Sequence, residues 1–238
     1  MASLTGRIFE HLHRPIPEDN DSDPNGEFWK THRKIDNILL NMSLYLPAHL
    51  RLPAGSSNSN TIFLNMTLQA AIICLHQAAI FKGERLPNSN EVVSESKARC
   101  LAAATETASV MKRIAHADLS TVCVPTLCKG KIAMLIEITQ LNVYTPFTLY
   151  IATRIFAQVS KAHPQDDNSS SSLLFLLSAL VALKETNPLV ASFLMQLDLE
   201  GFGLSAIQDN ARIFSGLVQN VVCCRDTRIL GNIGLTRT

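Results

Sequence analysis

Apolar and polar positions along the chain recur mostly at the helical period. Ile8, Phe9 and Leu12 share one face of a short helix over residues 5–13. Pro15, Pro17, Pro24 and Gly26 then punctuate a run of like charges, which reads as an exposed loop. From Glu27, a second helix carries Ile35, Ile38, Leu39, Met42 and Tyr45/Leu46 at steps of three and four, and Pro47 stops it. Residues 50–53 read as an extended strap, and residues 55–60 as a turn whose Asn60 caps the next helix. That helix, residues 61–82, is apolar nearly all round. With no polar face to offer water, it is expected at the centre of the fold.

Residues 83–89 break the chain, and Asn90 is expected to cap a long helix to His116. Glu91 and Glu95 near its start, and Lys112, Arg113 and His116 near its end, complement the helix dipole. Leu101, Ala104, Ala108, Met111 and Ala115 form its expected buried stripe. Residues 121–142 depart from the pattern, and their β-branched run at 132–138 fits a strand or a helix. Thr145-Pro146 opens a helix carrying Phe147, Tyr150, Ile151, Ile155, Phe156 and Val159. Residues 164–172 read as a serine-rich loop, with Ser172 capping a buried helix over 173–185. Asn187-Pro188 starts a helix to Leu199, which Gly201 and Gly203 end. A weakly helical tail follows from Ala206. About seven helices with short connections predict an all-α, irregular multi-helix domain.

Composition narrows the class. The 238 residues suffice for one domain with a sizeable core. Apolar residues make up 47% and charged residues 17%, against about 25% charged in ordinary domains. Disorder is excluded on that balance, because disordered chains are charged and poor in apolar residues. The low charge also predicts apolar surface covered by a partner or by further chain. A net charge of +1 argues against a basic nucleic-acid surface. Residues 1–14 lack the apolar run of a secretory signal. Cys74, Cys100, Cys123, Cys128, Cys223 and Cys224 are therefore expected as reduced thiols, and the sequons at Asn41 and Asn65 as unmodified. Residues 62–81 come nearest to a membrane span. Asn65, Gln69, His76 and Gln77 interrupt them, which favours a buried helix and no membrane partner.

Candidate chemistry is sparse. Gly201-Phe202-Gly203 follows a helix and lacks the spacing of a dinucleotide loop. Asp166-Asp167 has no partner carboxylates at helical spacing and reads as solvated loop. His11 and His13 lie two apart and so on different helix faces, and with His32 they read as an exposed basic helix end rather than a metal site. Cys123 and Cys128, and Cys223-Cys224, lack the second cysteine pair of a zinc site. Lys30, Arg33 and Lys34 read as a solvated face. His76 is expected as a satisfied core histidine. If the central helix borders a ligand pocket, His76, Gln69 and Gln77 are its polar groups. No enzyme is expected, and no catalytic, cofactor-binding or metal residue is assigned.

One series of runs is more specific. Phe28-Trp29-Lys30-Thr31-His32-Arg33-Lys34-Ile35-Asp36-Asn37-Ile38-Leu39-Leu40 is followed by Leu46-Pro47-Ala48-His49-Leu50-Arg51-Leu52-Pro53. Next come residues 68–80, Arg99-Cys100-Leu101-Ala102-Ala103-Ala104 and residues 147–156. Leu176-Leu177-Ser178-Ala179-Leu180, Asn187-Pro188-Leu189 and Phe193-Leu194-Met195-Gln196-Leu197-Asp198 complete the series. In order and spacing, these runs resemble the middle homology (regulatory) domain of fungal binuclear zinc-cluster transcription factors. The resemblance spans roughly residues 11–204 and implies a partial regulatory domain over 1–204, followed by a tail over 205–238. It further implies an incomplete C-terminal part of a larger all-helical domain, a nuclear location and control of RNA polymerase II transcription. In such proteins an N-terminal zinc cluster reads DNA, and no catalytic residues are defined in the middle domain.

Two departures stand out. The cysteines here are scattered, so no zinc cluster and no cofactor is expected in this chain. DNA contact would run only through a cluster N-terminal to these residues. Other expected partners are transcription proteins, the family's upstream helices and a small-molecule effector. Second, residues 122–140 interrupt the resemblance, which improves when Thr121 is joined to Leu141. The hypothesis is a retained intron, since Val122-Cys123 is encodable as a splice donor and Gln140 as an acceptor end. A transcript lacking these codons would support it, and genomic codons incompatible with splicing would sink it. The remaining alternatives are a small-molecule-binding helical sensor module and a non-functional truncated gene product.

Overall fold

A computed structural model describes residues 2–13, 23, 26–52, 58–86, 89–117, 144–184 and 187–199. Residues 122–140, the tail 205–238 and the cysteines at 123, 128, 223 and 224 lie outside the described residues. The fold is all-α. Its helices are α1 (Ala2–His13), α2 (Glu27–Leu44), α3 (Ser59–Gly83), α4 (Asn90–Ala117), α5 (Tyr144–Ala162), α6 (Asp167–Leu183) and α7 (Pro188–Leu199). A short 3₁₀ turn, Ala48–Leu50, follows α2. No strand occurs among the described residues.

α3 is the hub. It packs most extensively on α4 and also touches α1, α2 and α5. Ile62, Met66, Ala70 and Ile73 enter the main core, where Met111 of α4, Leu149 and Phe156 of α5, Leu176 and Leu180 of α6 and Leu194 of α7 meet. Leu68, Ala71 and Leu75 turn to the other side and pack with Ile8 of α1 and Ile35 and Leu39 of α2. Ala79 packs beneath Phe28, Trp29 and Leu86. One helix thus serves three apolar clusters, which is why it has no polar face. Each large side chain buried this way contributes about 1.5–3 kcal/mol. By length and composition alone, α3 would also pass as a membrane span.

Local chemistry sets the helix ends. α2 stops at Leu44, earlier than its apolar pattern suggests. Arg51 then folds back, its Nε donating to the Leu46 carbonyl at 2.7 Å and its Nη2 to the Leu44 carbonyl at 2.5 Å. The second bond satisfies a carbonyl that the helix end leaves without a partner. The 3₁₀ turn takes part of the expected strap. Asn65 ties that turn to α3, donating to the Leu50 and Thr61 carbonyls at 2.9 and 2.8 Å. The cap of α3 is Asn58 rather than Asn60, because its side chain accepts the Asn60 N–H at 2.9 Å.

α4 likewise begins at Asn90 itself, and Leu101 on its expected stripe is only half-buried. Gly83 ends α3 where the chain turns toward α4. A Cβ there would lie 2.7 Å from Val93 Cγ2, so only glycine permits this approach.

The largest correction concerns the expected serine loop. Residues 168–172 are helical, and the cap is Asp166, not Ser172. The Asp166 carboxylate accepts the Asn168 N–H at 3.2 Å and the Ser169 hydroxyl at 2.5 Å. Ser172 lies one turn inside α6, buried, and accepts from Lys112 Nζ of α4 at 3.2 Å. At the start of α7 the reading agrees: Asn187 accepts the Leu189 N–H at 3.0 Å.

Candidate functional site

The most structured polar site forms where α1, α2, α3 and α4 converge. α2 presents Phe28, Trp29, His32 and Asp36 at helical spacing, so these four share one side of the helix. α3 supplies His76 and Lys82, α4 supplies Ser96 and Arg99, and α1 supplies His11.

His11 stacks on Phe28, ring centroids 4.5 Å apart and planes 20° apart. Phe28 meets Trp29 edge-on at 5.1 Å. His32 sits among them, 6.2 Å from His11, 5.9 Å from Trp29 and 5.4 Å from His76 between centroids. Lys82 Nζ lies over the Phe28 ring, 4.5 Å from its centroid, a cation–π contact.

An ion-paired chain borders this aromatic block. Asp36 Oδ1 accepts from Arg99 Nη1 at 2.8 Å and from His76 Nε2 at 3.2 Å. Arg99 Nη2 also reaches Glu95, one turn earlier on α4, at 3.4 Å. A carboxylate only accepts, so His76 carries its proton on Nε2. Its Nδ1 meets the Ser96 hydroxyl, a long contact at 3.4 Å. Burial pushes the Asp36 carboxyl up. The hydrogen bond from His76 and the positive charge of Arg99 outweigh that and hold it below its ordinary value.

The histidines differ in how they are satisfied. His76 is buried with both ring nitrogens engaged, as expected of a core histidine. His11 and His32 are also buried, which overturns the expectation of an exposed basic helix end. Only His13 is exposed there. Two residues of separation place His13 on the outer face of α1 while His11 turns in against Phe28. His11 Nε2 and His32 Nδ1 are buried without a hydrogen-bond partner. Burial, with Lys82 nearby, lowers the His11 pKa. Burial, reinforced by His76, His11 and Arg33 and opposed by Asp36, pushes His32 down to about 3. Among the described residues no group of three His, Cys, Asp or Glu side chains could hold a metal ion.

Beside this network lies a cleft of about 260 Å³, lined by Trp29, His32, Asp36, His76, Leu86 and Ser96, with Arg33, Val92 and Glu95 toward its edge. Of the three polar groups anticipated beside α3, His76 lines this cleft. Gln69 and Gln77 are half-buried elsewhere on the helix. A second, wider cavity of about 520 Å³ lies between the end of α3, α4 and α5, walled by Ile80, Cys100, Leu101, Ile155 and Val159. The exposed Glu84–Lys97 pair, 3.2 Å apart, flanks it.

Cys74 and Cys100 are free thiols. Burial pushes them up to about 11 and about 12, so both behave as small apolar groups. Lys30, Arg33 and Lys34 lie on the exposed face of α2, as expected. Asp166 serves as a helix cap.

Sequence reasoning missed Asp36, Ser96 and Arg99. Asp36 follows Ile35 on the buried side of α2, a signal visible in the helical period. Nothing local links it to Arg99, 63 positions away. No family model, curated protein or solved structure matches this chain.

Proposed function

We propose that this chain is a regulatory domain of the fungal binuclear zinc-cluster transcription-factor type, acting in the nucleus on RNA polymerase II transcription. It works by binding and conformational restraint, not by catalysis. Contact with DNA belongs to a zinc cluster N-terminal to these residues. The observation that carries the reading is the ordered series of runs from Phe28 to Asp198.

Many apolar members of that series lie at helix contacts. Phe28, Trp29, Ile35, Leu39, Leu68, Ile73, Cys100, Ala104, Leu176 and Leu197 are all buried. Apolar packing of this kind suits a domain that transmits or restrains. Leu40 and Leu44 on α2, and Tyr45 just past its end, are exposed apolar side chains. Such side chains suit an intramolecular or partner contact.

The test is a reporter assay with this chain fused to an unrelated DNA-binding module. The fusion is expected to change transcription relative to the module alone, and Leu40→Asp with Leu44→Asp to abolish the change. A fusion indistinguishable from the module at equal abundance would refute the reading.

A second reading, a small-molecule sensor module, is favoured by the cleft beside His32 and His76. It is compatible with the first.

A further inference from the structure

We propose that the cleft between α2, α3 and α4 binds a small, planar, uncharged molecule offering an N–H donor beside a carbonyl acceptor, the pattern of a primary amide or a lactam. This inference rests on the sensor reading and specifies its ligand.

Size comes first. At about 260 Å³ the cleft lies just under the range of about 300–1,000 Å³ usual for drug-sized ligands. Trp29, Leu86 and Val92 supply apolar wall, which suits a flat ring.

Charge comes next. Asp36 is answered by Arg99 and His76, and Arg99 also by Glu95. Arg33 and Arg99 balance Asp36 and Glu95 in formal charge. A ligand ion would therefore enter without a matching unpaired charge and would lose its hydration.

The remaining hydrogen-bonding capacity is specific. Ser89 gives its hydroxyl to the Leu86 carbonyl at 3.0 Å and also contacts the Gly83 carbonyl. Ser96 is engaged with His76. His32 lines the same cleft, is 5% exposed, and has a ring nitrogen without a partner. Native proteins rarely leave such a buried polar atom unsatisfied. Its surroundings hold the ring neutral, so it presents one N–H and one bare lone pair. An amide complements either state of that nitrogen: its N–H reaches a bare lone pair, or its carbonyl accepts a ring N–H.

Trp29 is the only tryptophan in the chain and lines the site, so its fluorescence reports occupancy directly. The probes are benzamide, benzoate and benzamidine, which share a ring and differ in charge. Benzamide is expected to give a saturable Trp29 signal with an affinity at least ~10-fold above either ion, as one buried hydrogen-bond mismatch produces. His32→Phe should weaken benzamide by ~10-fold, and His32→Gln, which keeps a donor and an acceptor, should restore it to within ~3-fold. Circular dichroism identifies a variant that has lost its fold, and His32→Gln keeps the test decisive if His32→Phe does.

Equal binding of all three probes would reduce the site to an apolar cavity and overturn the proposal. So would the absence of a saturable signal, or no rescue by His32→Gln. None of these results bears on the reporter fusion, so failure of the ligand class and failure of the regulatory reading are separable.

Discussion

Acid should destabilise this domain through His32 in a way that can be calculated in advance. The ring is 5% exposed, wedged between Trp29 and His76, and its pKa is depressed from 6.5 to about 3, first by burial and then by neighbouring positive groups. Below about pH 6.5 the unfolded chain takes up a proton that the folded chain refuses, so the unfolded state binds more protons. Stability linked to His32 is therefore fully present above that value and falls progressively as the pH drops toward about 3. One pKa unit corresponds to about 1.36 kcal/mol, so moving from about pH 7 to about pH 5 removes about 2 kcal/mol. The assay is urea unfolding followed by circular dichroism at both pH values, for the native chain and for His32→Phe. With a urea slope of about 2 kcal/mol/M, the His32 contribution moves the native midpoint by about 1 M on acidification. His11 titrates in the same direction but is present in both proteins, so the difference between their pH slopes isolates His32. Equal losses of stability in the two proteins would refute the reasoning.

Further predictions concern packing and polar contacts. Gly83→Ala should destabilise by about 1–3 kcal/mol, because its Cβ meets Val93 Cγ2 at 2.7 Å. Val93→Ala should relieve most of that loss in a double-mutant cycle by urea denaturation, and purely additive losses would argue against the contact. Asp36→Asn should cost about 1–3 kcal/mol, since Arg99 and His76 lose their shared acceptor charge, whereas Glu95→Gln, at an exposed pair, should cost under about 1 kcal/mol. Cys100, buried and pushed up to about 12, should resist iodoacetamide in the folded protein and react once urea unfolds it. Labelling at equal rates in both states would show that the α3–α4 contact opens readily.

Helix identity and the central place of α3 were legible in the sequence because both depend on local periodicity. Apolar residues three and four apart share a face whatever surrounds them, so the faces of α2 and α5 follow from spacing alone. A helix apolar on every side needs neighbours on every side, and α3 has α1, α2, α4 and α5. Asn187-Pro188 is equally local, and its cap forms as read. The serine-rich start of α6 reads as loop because serine also favours loops. The decision rested on the Asp166 cap and on a Lys112 contact 60 positions away.

The candidate site was the least legible part. His11 looked like one of two histidines at an exposed helix end, and only the packing of α1 beside α2 buried it against Phe28. Ser96 is 20 positions from His76, Asp36 is 40 from His76, and Arg99 is 63 from Asp36. Such groups become neighbours only when helices cross, and no period or motif along the chain encodes that distance. Periodicity determined which faces must be buried. The three-dimensional packing of those faces decided which polar groups were buried together, and which ring nitrogens were left without a partner.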